Sequence, residues 1–278
     1  MRIDAHQHYW KLDRGDYYWL KPELSKLYRD FLPSDLTPIL HTHNIDKTVL
    51  VQAAPTLAET EYMLALAEHD LTIAGVVGWL DLESNVFPAL FQQLMTHTKF
   101  VGIRPMLHDL PDDEWILRPK VIQSLKLLAE YDFPVDFLIY SRHLPHLNKL
   151  IQQVPNLRGV VDHIGKPNIA KGEMEPWRTQ IAELASGTNI YCKLSGMVTE
   201  ANHMEWDYKQ LSPYIQHCLD VFGTDRVMFG SDWPVCLLAA SYNEVVSILE
   251  GHLSSNLNQA DLSKVWGDNA IDFYRLRV

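Results

Sequence analysis

Only three cysteines occur in the 278 residues, Cys192, Cys218 and Cys236, and no two of them form a C-x-x-C pair. An odd, widely spaced set supports neither a disulfide framework nor a cysteine-based zinc site; it reads as buried thiols of a reducing compartment. Positive charge is also scarce, with 24 Lys and Arg against 35 Asp and Glu and a net charge of -11. Such a surface repels phosphate backbones and anionic headgroups, so neither nucleic acid nor a membrane is an expected partner. The longest apolar runs, such as TVLVQAA and IAGVVGWL, fall far short of a membrane span. No leader with a basic, then apolar, then small-residue pattern opens the chain, and a cytoplasmic protein is therefore expected. Three loop motifs are missing too. Without G-x-G-x-x-G or G-x-x-x-x-G-K-[ST], a nucleotide-binding open sheet is disfavoured, and without G-x-S-x-G there is no nucleophile elbow.

What the chain does have is short apolar runs rich in Val and Ile, near residues 3, 47, 73, 99, 134, 158, 189 and 225. Runs of this kind suit strands buried on both faces, as in a parallel sheet. Helical periodicity fills the gaps, over 57–70, 84–97, 118–131, 142–154, 177–186, 208–222 and 241–253. Strand starts lie about 24 to 44 residues apart, the size of βα units. No Gly/Ser/Pro linker or composition break interrupts them, so residues 1–278 are read as one (β/α)8 TIM barrel, a catalytic domain. The final helical segment, LSKVWGDNAIDFYRL with Trp266, is expected to close the outer ring.

Polar and ionisable residues gather where those strands end: His6 and His8, Gln52, Asp81, Arg104, Asp162 and His163, Lys193 and Ser195, and Asp232. In a barrel these ends share one rim, where active sites lie. His6 and His8, two apart on a strand, point the same way, either to bind a divalent ion or substrate or simply to hydrogen-bond in the core. The second H-x-H, His41 and His43, falls at a helix end and reads as solvated. Asp232 follows the apolar VMF and Gly230, so it caps a helix or serves the site. His163 is the third imidazole able to reach this rim, while strand alternation turns Asp162 away. Arg104 needs an anionic or carbonyl partner, a substrate oxygen or a neighbouring acid. His108, Trp115, Arg142, His143, Lys166, Lys193 and Trp233 are further rim candidates, with Asp112, Asp113 and Glu114 a solvated lid surface.

Taken in order, IDAHQHYW, VGIRPM…DDEWILRP, VVDHIGKP, YCKLSG and MFGSDWP resemble the amidohydrolase superfamily, in the branch of sugar-acid lactonases, along nearly the whole chain. The resemblance implies an amidohydrolase-like barrel with a site of His6, His8, His163 and Asp232. Substrate contacts are expected from Arg104, His108, Lys193 and Trp233. It leaves open whether His6, His8 and Asp232 hold one Zn2+ or none. Strand four offers Arg104 and strand five ends in FLIY, with Tyr140 where other members place a ligand, so a two-metal centre is not expected. The implied activity is hydrolysis of a lactone, such as an L-fucono- or L-rhamnono-lactone, with Asp232 as general base. The alternatives are a metal-dependent non-oxidative decarboxylase of the same superfamily and a lactonase acting on a carboxylated, muconolactone-type ring. A homodimer is compatible with the sequence.

Overall fold

The structure, a computed structural model, describes residues 1–278. Eight strands form one parallel sheet in sequence order: Ile3–Gln7 (β1), Lys47–Val51 (β2), Ile73–Gly78 (β3), Phe100–Ile103 (β4), Val135–Phe137 (β5), Gly159–Val161 (β6), Tyr191–Leu194 (β7) and Val227–Phe229 (β8). The barrel closes just beyond β8. There the Asp232 N–H donates to His6 O at 2.8 Å, and the His8 N–H to Trp233 O at 2.7 Å. Closure therefore places the segment after β8 beside the end of β1, which is what brings Asp232 to the two histidines.

The helices are Pro33–Thr42 (α1), Leu57–His69 (α2), Phe87–Leu94 (α3), Pro119–Glu130 (α4), Leu144–Gln153 (α5), Trp177–Ala185 (α6), Met197–Glu200 (α7), Tyr208–Phe222 (α8), Tyr242–Ser254 (α9), Gln259–Ser263 (α10) and Asn269–Tyr274 (α11). Their starts follow local chemistry. Pro33 and Pro119 open α1 and α4, where the missing N–H is harmless. Thr56, Asp207 and Ser241 cap α2, α8 and α9, each side-chain oxygen accepting from the backbone N–H three residues on. No helix is long and apolar enough to cross a membrane.

The end of the chain departs from expectation. Trp266 does pack on the outer side, 4.7 Å from the Phe229 ring. Beyond it, however, Ala270, Phe273, Tyr274 and Leu276 turn under the barrel and pack against Ile3, Val49, Val101 and Met228 inside it. This plug fits because Gly75 has no side chain, since a Cβ there would press on Val101 and Leu276. The barrel floor is thus filled by apolar side chains, opposite the rim that carries the polar strand ends.

A second feature had no counterpart in the sequence reading. Residues 9–32, between β1 and α1, cross over that rim and are tied down by Trp10 and Phe31, whose backbones exchange two hydrogen bonds at 3.0 Å. Trp10, Phe31 and Trp233 stack edge to face in a chain, at 5.3 and 5.2 Å. Aromatic packing of this kind fixes a long irregular segment that backbone pairing alone would leave loose.

Candidate active site

His6 lies in β1 and His8 just past its end, and both are buried. Their Nε2 atoms are 3.2 Å apart, with the rings edge to face. Asp232 reaches them because Gly230 lets β8 run close to β1, where a Cβ would lie 2.7 Å from that of His6. Asp232 itself adopts a left-handed backbone, φ 57°. Its Oδ1 is 3.3 Å from His8 Nε2 and 3.8 Å from Nε2 of both His6 and His163. Three imidazoles and a carboxylate from β1, β6 and β8 thus converge on one point.

Hydrogen bonds on the far side of each ring set its orientation. His8 Nδ1 lies 2.7 Å from Val51 O, and a carbonyl can only accept, so the proton is on Nδ1 and the Nε2 lone pair faces Asp232. Ser195 Oγ holds His163 Nδ1 at 2.9 Å. Burial, the largest influence, holds His6 and His163 well below the ordinary imidazole range, so both are neutral at neutral pH. Burial alone would raise Asp232, yet the carboxyl titrates below its usual range, with the Lys166 ammonium the permanent positive charge among its neighbours.

The cluster fits a divalent ion. Tetrahedral ligands roughly 2.1 Å from a zinc are about 3.4 Å from one another, and the His6–His8, His8–Asp232 and His6–Asp232 separations are 3.2, 3.3 and 3.8 Å. His6, Asp162 and His163 form a second group of suitable type. There, however, Asp162 Oδ1 lies 3.1 Å from the Lys193 ammonium, which already satisfies its charge.

Asp162 corrects the expectation from strand alternation. β6 ends at Val161, and His163 and Ile164 are left-handed, φ 53° and 50°, so period two stops there and both Asp162 and His163 face inward. Asp162 sits beneath the site, 3.3 Å from His6 Nδ1 and 3.3 Å from Arg104 Nη1. Lys193, expected as a substrate contact, is likewise sealed below. Its ammonium is 2.5 Å from Asp136, 3.1 Å from Asp162 and 3.1 Å from His6 Nδ1, and it has no surface on the cavity. Trp233 does not reach the cavity either, because its ring packs on Tyr9 and Phe31.

Above the cluster is a cavity of about 180 Å³. His8, His163, Asp232 and Arg104 line it, with His108, Asp109 and Lys166 toward the mouth and Trp19, Met106, Leu138 and Val235 forming an apolar wall. Each cation in this region is already matched. Arg104 holds Asp162 and donates to Gln52 O, and Lys166 is paired with Glu200. Arg142 and His143 both bond Asp113, at 2.9 Å, and anchor the β4 loop rather than lining the cavity. Trp115 is turned away, donating to Glu83 at 2.7 Å. Burial pushes His108 down to about 4, and it lies 3.2 Å from Asp109. Trp19 had only one signal in the sequence, an aromatic cluster, YYWL, in an otherwise polar stretch.

Glu59, at the start of α2, is fully buried and accepts hydrogen bonds from the Ala53 and Ala54 N–H groups. Burial pushes its carboxyl from 4.5 up to about 7, despite those bonds. The folded state then holds the Glu59 proton more tightly than the unfolded chain does, so stability falls as pH rises from 4.5 to about 7. Glu59→Gln lacks this dependence. Urea unfolding at the two ends of that window should show the variant gaining on wild type by about 3 kcal/mol as pH rises. Parallel pH profiles for the two proteins would contradict it.

Comparison with known proteins agrees with this architecture. The amidohydrolase family profile matches residues 3–276. An L-fucono-1,5-lactonase from Burkholderia ambifaria is 41% identical over 278 residues, spanning 99% of this chain and 96% of that one. A second L-fucono-1,5-lactonase, from Burkholderia multivorans, is 36% identical, again spanning 99% and 96%. The crystal structure of an amidohydrolase from Burkholderia multivorans with bound zinc superposes with a TM-score of 0.94 at 36% identity over the whole of both chains. With a family match running from β1 to beyond α11 and relatives similar along its whole length, the chain belongs to the amidohydrolase family.

Proposed function

We propose that this enzyme hydrolyses the ring ester of a neutral sugar-acid lactone, with Asp232 as general base and L-fucono-1,5-lactone as the leading substrate. The observation that carries the reading is Asp232 Oδ1 facing three imidazole Nε2 atoms at the base of a cavity about the size of one sugar ring. The relatives named L-fucono-1,5-lactonase support lactone opening. Neutrality follows from charge pairing. Lys166 is matched by Glu200, and Asp109 and Asp232 already place carboxylates on the cavity, so a ring carboxylate away from Arg104 would meet like charge and no free cation.

Asp232 is ionised at neutral pH, and with Oδ1 turned to the imidazoles its Oδ2 takes the proton of a water attacking the ester carbon. Negative charge then develops on the carbonyl oxygen. The guanidinium of Arg104, fixed in advance by Gln52 O and Asp162, faces it without reorganising. A divalent ion, for which Zn2+ is our assignment, held by His6, His8 and Asp232 would add Lewis-acid polarisation of the carbonyl. As the bond from the carbonyl carbon to the ring oxygen breaks, Asp232 returns its proton to the departing alkoxide, leaving an open-chain hydroxy acid. His163, neutral and at the same rim, is the second group placed to carry that proton.

The test is acid release from a panel of L- and D-sugar lactones, followed with a pH indicator, before and after chelation and again with Zn2+ restored. Activity on a sugar lactone that disappears with the ion and returns with it is the expected result. Activity indifferent to chelation would mean that His6 and His8 act on the carbonyl directly. Carbon dioxide release from an aromatic acid, with every lactone untouched, would reject lactone hydrolysis in favour of decarboxylation.

A further inference from the structure

Trp19 is the one indole on the wall of the catalytic cavity, and its position is unusually constrained. Its Nε1–H donates to Ala53 O at 2.7 Å, and Trp10 meets it edge to face at 5.4 Å. Ala53 is fixed in turn. Its N–H and that of Ala54 both donate to the Glu59 carboxylate, at 3.0 and 2.6 Å, while the preceding Gln52 O receives the Arg104 guanidinium. A fully buried carboxylate with no cation in contact is costly, and a glutamine would occupy the same volume without the charge. Glu59 Oε2 accepts from both N–H groups, at 3.1 and 2.6 Å, and what the acid alone provides is a second acceptor, Oε1, at 3.0 Å from the Ala53 nitrogen, where a glutamine NH2 would set donor against donor. Residues 52–54 thus link Arg104 on one side to Trp19 on the other through backbone atoms held on both flanks.

We propose that Trp19 is the platform on which the C–H face of the lactone ring packs, and that Glu59 is the positioning residue holding that platform in register with Asp232 and Arg104. The inference rests on the sugar-lactone reading above and deepens it. A sugar ring presents axial C–H bonds on one face and hydroxyls around its edge, and the negative face of an indole attracts the former. The cavity wall divides in the same way. Trp19, Met106, Leu138 and Val235 supply carbon surface, and His108 and Asp109 supply polar atoms for ring hydroxyls. A rigid platform also selects among epimers, because a hydroxyl turned toward the indole loses water and gains no partner. Contacts of this kind are as strong in the bound substrate as in the transition state, so their loss raises KM and leaves kcat nearly intact.

The experiment is steady-state kinetics on L-fucono- and L-rhamnono-lactone, which differ in ring stereochemistry, for the zinc-loaded wild type, Trp19→Ala, Trp19→Phe and Glu59→Gln, with metal content measured on each. Trp19→Ala is expected to raise KM roughly tenfold with kcat within about twofold. Trp19→Phe, which keeps a ring, recovers most of that loss. Glu59→Gln, with Trp19 intact, raises KM roughly threefold, and the indole fluorescence change on adding ring-opened product shrinks in parallel. A wild-type enzyme that opens these lactones, beside Trp19→Ala and Glu59→Gln with unchanged KM, overturns the platform alone. So does a Glu59→Gln defect confined to kcat. A wild-type enzyme that opens no sugar lactone overturns the functional reading and the platform with it.

Discussion

Asp232→Asn is expected to fold as the wild type does and to lose roughly a thousandfold or more in kcat on its lactone, the upper part of what a positioned general base supplies. Folding is preserved for two reasons. Asn matches Asp in volume, and the left-handed backbone at this position, φ 57°, is one that Asn adopts readily. The amide offers an N–H to the His8 Nε2 lone pair, yet it cannot take a proton from water at neutral pH. Metal content measured on the same sample separates the two duties of the carboxylate. A variant that retains its ion and remains inactive has lost the base; one that is inactive only for want of metal regains turnover at saturating Zn2+. Turnover near the wild-type rate would remove Asp232 from the chemistry altogether.

How much of this site could be read from the sequence depends on which geometry each residue obeys. His6 and His8 were legible because they sit on or just beyond a regular strand, where period two holds. Asp232 was legible because barrel closure sets the end of β8 against β1 in any eight-stranded barrel, and the Asp232–His6 backbone bond is that closure. Asp162 was misread for a specific reason. Two consecutive left-handed residues, His163 and Ile164, end the alternation from which its direction had been argued, and β-branched isoleucine gives no hint of such a conformation. Lys193 stands at a strand end like the others but one layer lower, and depth along the barrel axis is not encoded in spacing. Trp19 and the plug formed by Phe273 and Tyr274 were out of reach because both belong to irregular or terminal segments whose placement is decided by long-range packing. Periodicity carries information about faces of elements, and none about where a crossing segment lands.

The buried layer under the histidines gives the second large effect. Lys193→Met should destabilise the fold by roughly 3 to 5 kcal/mol, the penalty for breaking a sealed ion pair from one side. The layer balances two cations, Lys193 and Arg104, against two carboxylates, Asp136 and Asp162, all buried, with only Arg104 reaching the cavity above. Removing the ammonium leaves Asp136 with only the Tyr274 hydroxyl, at 2.7 Å, although burial already pushes its carboxyl up to about 6. Asp162, held well below its usual range chiefly by Lys193 against the upward push of burial, would keep only Arg104 and His6. Neutralising the other partner should repair much of the damage. In Lys193→Met/Asp136→Asn the charge balance is restored, so the double variant should be more stable than Lys193→Met alone, and a double-mutant cycle in urea should report a coupling of roughly 2 to 3 kcal/mol. Additive losses would mean that Lys193 contributes packing and not charge. Because the same ammonium lies 3.1 Å from His6 Nδ1, the single variant also frees that ring to turn, and weaker Zn2+ retention at a temperature where the fold persists is the matching signature at the site.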